Sequence, residues 1–133
     1  MVDDALAPTP RSASTVILLR DGADGIETFV MRRAQSMAFA PGMYVFPGGR
    51  VDASDDDGVV LAVDDDELAR LAERASTDRA GVVALYSCAV RETTEETGVV
   101  LVPAAVGERT VVDPAQLPIV GHWVTPATEK RRY

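Results

Sequence analysis

The first apolar stretch, residues 15–20 (Thr-Val-Ile-Leu-Leu-Arg), is short and partly β-branched, and reads as a buried strand. Asp21-Gly22-Ala23-Asp24-Gly25 supplies turn chemistry, and residues 26–33 return with partial alternation. The pair predicts a hairpin with a long loop. After a turn at Ala40-Pro41-Gly42-Met43, Tyr44-Val45-Phe46 forms a short strand that ends at Pro47-Gly48-Gly49. Two glycines after a strand allow either a tight turn or a close backbone approach to a ligand. Residues 66–75 place Leu68, Leu71, Ala72 and Ala75 on one stripe, which predicts a helix with Asp64, Asp65 and Asp66 as cap candidates. Ser76-Thr77-Asp78 breaks that helix and can cap a second one, from Gly81 or Val82 to Thr97, for which Gly98 is a natural stop. Beyond it, residues 99–102 read as a strand, 109–112 as a further short strand, and 117–125 as a strand interrupted by Pro118. Short strands alternating with helices predict an α/β or α+β domain.

Length and composition narrow this picture. With 133 residues the chain is one domain, and with only 5% aromatic residues its core must be built mainly from Val, Leu and Ala. The net charge of -8 argues against a nucleic-acid duplex as partner. Residues 1–14 hold two aspartates and two prolines but no apolar run, so they read as a loose tail rather than a secretory signal. No apolar run approaches a membrane span of roughly 20 residues. A single thiol, Cys88, excludes an internal disulfide and fits a cytoplasmic chain. It falls on the inner side of the second helix, as a small core residue.

The stretch from Val51 to Asp66 is rich in aspartate, but an EF-hand register counted back from Gly58 would place Ala53 at position one, so that template fails. Most of these acids read as a solvated loop. The chemistry concentrates instead in Arg91-Glu92-Thr93-Thr94-Glu95-Glu96-Thr97-Gly98. On a helix, Glu92 faces both Glu95 and Glu96, and Arg91 can reach Glu95. Like charges at this spacing repel by roughly 0.2–0.5 kcal/mol per pair. The negative end of the helix dipole adds about 0.3–1 kcal/mol for each exposed acid. Three acids in this place suggest an external countercharge, and a hard dication such as Mg²⁺ or Mn²⁺ suits oxygen ligands. Taken alone, the triplet fits a solvated acidic face equally well.

Read together with the upstream Gly48-Gly49 turn, the stretch Arg91–Val99 resembles the box of the Nudix hydrolase family. That box runs Gly, five residues, Glu, seven residues, Arg-Glu-apolar-any-Glu-Glu-any-Gly-apolar. Gly49 matches the first glycine and Asp55 falls at the early glutamate. Arg91 to Val99 match the second half, with Thr93 at the usual apolar position. Arg32-Arg33 and the run from Pro41 to Phe46 are also similar to the approach to the box, so the likeness spans about residues 15–126. Arg91 follows Gly49 by 42 positions, so a long insert, at about residues 53–80, parts the two halves. Such an insert, with the terminal Gly121-His122-Trp123-Val124-Thr125-Pro126, resembles the branch associated with coenzyme A and acyl-CoA diphosphatases.

The resemblance implies a Nudix-like α/β/α sandwich with a mixed sheet over residues 15–133, behind the 1–14 tail. With the chain stopping at Tyr133, it is expected to lack the C-terminal strand and helix. A homodimer or another subunit would then cover the open sheet. The implied activity is hydrolysis of a phosphoric anhydride: cleavage of the diphosphate in a small-molecule nucleoside diphosphate derivative, with coenzyme A or acyl-CoA as candidates. The alternative is a truncated or non-catalytic ligand-binding or interaction domain. Glu92, Glu95, Glu96 and the Gly48 carbonyl would hold Mg²⁺ or Mn²⁺. Glu92 and Glu95 would form the catalytic set with Arg91, one of the three glutamates acting as base and Arg91 holding Glu95 or a neighbouring carboxylate in place. Arg32 and Arg50 are candidates for substrate phosphates. His122 reads as lying near a strand start rather than as catalytic, and Trp123 as packing.

Overall fold

The computed structural model describes residues 8–37, 41–102, 105–129 and 131–133. Among these residues the architecture is α+β, with two α-helices and several small ladders. Strand β1 (Ala13–Thr15) pairs antiparallel with β6 (Gly48–Arg50), so that Ala13, Ser14 and Thr15 lie opposite Arg50, Gly49 and Gly48. Strands β2 (Leu19–Gly22) and β3 (Gly25–Thr28) form a hairpin, and β4 (Met31–Arg32) pairs with β5 (Tyr44–Val45). A mixed three-stranded sheet joins β7 (Val59–Leu61), β9 (Arg109–Val112) and β8 (Ala105–Val106), with β7 parallel and β8 antiparallel to β9.

Helix α1 (Asp65–Arg74) begins where the Asp64 carboxylate accepts the Glu67 N–H at 2.8 Å. Helix α2 (Arg79–Thr97) begins where Asp78 accepts the Gly81 N–H at 2.7 Å, and ends at Gly98, whose backbone is left-handed. Both caps satisfy N–H groups that the first helical turn leaves without carbonyl partners. Val82, Tyr86, Ala89 and Thr93 recur at three- and four-residue spacing and are all buried. Val82 and Tyr86 join Leu71, Ala72 and Ala75 of the α1 segment and Val59 and Val112 of the mixed sheet in one core. Tyr86 apart, this is the core built mainly from Val, Leu and Ala expected from the scarcity of aromatics. Helix α2 packs on α1, β1, β6 and β7, so one element links the core to the Gly48-Gly49 strand.

Several expectations change. The strand expected over residues 15–20 is divided between β1 and β2, because only Val16 turns inward while Ile17 and Leu19 stay 45% and 64% exposed. The hairpin is tight rather than long-looped, since Gly22 and Gly25 are themselves paired. The tail expected over residues 1–14 is shorter: Ala13 and Ser14 belong to β1, while residues 1–7, like Ala40 of the expected turn, lie outside the described residues. Residues 99–102 and 117–125 form no strand, since no ladder among the described residues includes them. The insert holds the expected helix, α1, and also an unexpected short strand, β7, and both contribute to the core. Trp123 is 76% exposed rather than packed, and His122 is exposed with no strand beside it. Among the described residues, no helix is long and apolar enough to cross a membrane.

Candidate functional site

The C-terminal half of α2 lies over β6, and the glycines of β6 permit that approach. Gly48 has φ of +154°, and a Cβ there would collide with the backbone of Ser14 and Thr15 on β1. A Cβ at Gly49 would fall within the Glu92 carboxylate. The missing side chain at 49 is therefore the space in which Glu92 rests against the strand. Two bonds tie helix to strand: the Gly48 N–H donates to Glu96 Oε2 at 2.9 Å, and the Cys88 thiol donates to the Gly49 carbonyl at 3.4 Å. Burial pushes the Cys88 thiol above its ordinary range, which suits a neutral core residue.

Arg91 organises the carboxylates. Its Nε and Nη2 each donate to Asp55 at 2.9 Å, a bidentate pair. Its Nη1 donates to Glu92 Oε1 at 2.9 Å and to Glu95 Oε2 at 3.4 Å, and Nη2 also reaches the Arg50 carbonyl at 3.2 Å. The Asp55 bond, foremost, raises the guanidinium's pKa, with Glu92 adding to it, so Arg91 is charged at every working pH.

Asp55 is 1% exposed. Burial alone would raise its carboxyl, but the Arg91 guanidinium and the Asp52 N–H, at 2.8 Å, outweigh it and hold the pKa below the ordinary range. Asp52 and Asp55 form a reciprocal capping box around the 3₁₀ turn Ala53–Asp55. Asp52 is itself held low by the Ser54 N–H.

The three glutamates are thus brought to one end of one helix, as their spacing predicts, but not in one environment. The Glu92 side chain is 17% exposed and that of Glu95 60%, with Glu96 turned to Gly48. Part of the countercharge expected from outside is internal, supplied by Arg91. At Gly48 it is the N–H that meets an acid. Among the described residues, no three His, Cys, Asp or Glu side chains converge into a group that could hold a metal as they stand. The donor set still suits a hard dication: three carboxylates on adjoining turns, with the bare Gly49 backbone beside Glu92. Thr93, at the position where the box has an apolar residue, is fully buried, and its hydroxyl finds no partner among the described residues.

Beside these acids opens a cleft of about 480 Å³, lined by Arg11, Ser12, Arg50, Asp52, Arg91 and Glu92. Arg50 is therefore placed at the site. Arg32 is not among the lining residues; it belongs to the β4–β5 ladder, where its Nε donates to the Gly42 carbonyl at 3.4 Å. Arg11, Ser12 and Asp52 were not legible as site residues. Arg11 stands in the stretch that reads as tail, and the pairing of β1 with β6 brings it to the cleft.

No family model matches the chain. The crystal structure of a NUDIX hydrolase from Alicyclobacillus acidocaldarius is similar to it, with a TM-score of 0.60 and 28% sequence identity over 93% of this chain. The chain spans 66% of that protein's length. The fold is Nudix-like, and the likeness in both structure and sequence supports a place in the Nudix family.

Proposed function

We propose that this chain is a divalent-metal-dependent Nudix-type hydrolase that cleaves the diphosphate linkage of a nucleoside diphosphate derivative, with coenzyme A or an acyl-CoA as the substrate class. The observation that carries the reading is the single guanidinium of Arg91 bonded at once to Asp55, Glu92 and Glu95, while Glu96 is tied to the glycine strand. A helix end built only for stability would not gather acids at its negative pole. Likeness to a NUDIX hydrolase supports the same reaction class. The coenzyme A assignment rests on resemblance in the insert and in the segment from Gly121 to Pro126.

Glu92, Glu95 and Glu96 are the residues that would hold Mg²⁺ or Mn²⁺. An ion held there would supply charge neutralisation for the transferring phosphoryl group and would lower the pKa of the attacking water. The chain's own residues do the rest. Arg91 positions Glu92 and Glu95 and remains cationic throughout. Glu95, the more exposed of the two, accepts the proton of the attacking water. Arg50, at the cleft wall, meets the substrate's phosphates.

The test is a substrate panel of coenzyme A, acetyl-CoA, ADP-ribose, NADH and nucleoside triphosphates, with Mg²⁺, with Mn²⁺ and with EDTA. Metal-dependent cleavage of coenzyme A or acetyl-CoA into adenosine 3′,5′-bisphosphate and a 4′-phosphopantetheine product is the expected result. Turnover confined to other members of the panel overturns the substrate class. Activity that survives EDTA overturns the mechanism.

A further inference from the structure

The chain carries a net charge of -8, yet its cleft beside the glutamates is walled by three arginines against Asp52 and Glu92. The three are not equivalent. Arg91 is fully engaged with Asp55, Glu92, Glu95 and the Arg50 carbonyl. The guanidinium groups of Arg11 and Arg50, by contrast, have no hydrogen-bond or ion-pair partner among the described residues. Two uncommitted cations thus face one cavity.

Their backbones are held in place. Ser12 accepts the Val51 N–H at 2.9 Å, which locks the Arg11 segment against the residue after Arg50. From the other side, the Arg11 N–H donates to the Arg132 carbonyl at 3.0 Å. Arg132 in turn donates through Nη1 to the Pro8 carbonyl at 3.0 Å and through Nε to the Thr125 carbonyl at 3.1 Å. Residues near the two ends of the chain therefore hook each other, and the hook presents Arg11 to the cleft. Guanidinium groups bind phosphate through parallel N–H donors, and a preset backbone lowers the ordering cost of doing so.

We infer that Arg11 and Arg50 form a two-pronged subsite for a phosphate group beside the carboxylate cluster, with Arg11 as a substrate-binding residue. The subsite takes a phosphoanhydride or phosphate monoester by its charge and does not bind a metal. Its placement on the substrate path rests on the hydrolase reading above, but its anion binding is measured apart from hydrolysis.

The experiment is calorimetric titration of the full chain with inorganic pyrophosphate at low ionic strength, in EDTA. The proteins are the wild type, Arg11→Ala, Arg11→Lys, Arg50→Ala and, as a control outside the cleft, Arg109→Ala. Arg11→Ala and Arg50→Ala are each expected to weaken binding about tenfold or more, as loss of a charge-assisted bond should. Arg11→Lys should lose less, and Arg109→Ala nothing. In turnover assays, Arg11→Ala should raise KM with kcat nearly unchanged. Should Arg11→Ala fail to fold, Arg11→Lys and Arg50→Ala decide. Absence of pyrophosphate binding in the wild type, or binding indifferent to Arg11, overturns the subsite, even if hydrolysis is intact. Arg11-dependent binding in a protein that hydrolyses nothing upholds the subsite and overturns only the hydrolase reading.

Discussion

Asp55 and Arg91, 36 residues apart in the chain, meet through two parallel hydrogen bonds of 2.9 Å, one to each carboxylate oxygen. This pair fastens the insert to the acid-bearing helix. It also orients the guanidinium so that its remaining nitrogen faces Glu92 and Glu95. Asp55→Asn leaves a partly buried cation with a weaker partner. Breaking a buried pair costs about 3–5 kcal/mol, and the exposed edge of Arg91 brings the expectation down to about 2–3 kcal/mol. Urea unfolding measures it, and turnover should fall as well, because Arg91 loses its anchor.

The same pair sets an acid limit. Asp55 has a lowered pKa in the folded state, so its ionised form contributes stability that is complete above the unfolded-state value of about 3.9. That contribution is lost as pH falls through the lower folded value. Between neutral pH and about 5, stability should be nearly flat in this group, and below about 4 it should drop. The slope of unfolding free energy against pH in that acid window should shrink in Asp55→Asn.

Thr93 places an unpartnered hydroxyl in the fully buried face of α2. Thr93→Val keeps the shape and removes the desolvated oxygen, an expected gain of about 1 kcal/mol. The urea midpoint should rise with an unchanged slope, and the turnover rate should stay close to that of the wild type.

Gly49→Ala inserts a methyl group where the Glu92 carboxylate rests. The side chain must move by about an ångström, and displacements of that size at a catalytic group cost about 10²-fold in rate. Activity should therefore fall far more than the thermal midpoint does. A comparable loss in both would place the role of Gly49 in folding alone.

The extent to which this structure was legible follows from how local each signal is. Gly98 ends α2 where the chain alone predicts it, because cap chemistry acts within a few residues; Asp78, a cap candidate, starts the helix at Arg79, ahead of the Gly81 or Val82 start read from the sequence. The helical spacing likewise brings Glu92, Glu95 and Glu96 to one place, and counting from Gly49 singles out Asp55. Neither reading reveals that Asp55 is buried, or that Arg91 supplies part of the countercharge, since both depend on a turn folded back from the insert. Val59–Leu61 escapes notice as a strand because three residues carry no period, and its parallel partner β9 lies about 50 residues onward. Residues 99–102 have the composition of a strand, yet Val99 and Val100 remain 44% and 63% exposed without a ladder. Arg11 was invisible for a related reason: long-range pairing, of Ala13 with Arg50 and of Arg11 with Arg132, makes it a neighbour of the cleft.

The central claim is that Glu92, Glu95 and Glu96 together bind the dication on which hydrolysis depends. Calorimetric titration of Mn²⁺ into the full chain, run in parallel with a coenzyme A hydrolysis assay on the wild type, Glu95→Gln and Glu96→Gln, tests it most directly. The account predicts saturable uptake by the wild type, uptake weakened in each variant, and turnover lost in step with it. Hydrolysis that persists in both variants and in EDTA, or a folded wild type that takes up neither Mn²⁺ nor Mg²⁺, contradicts it.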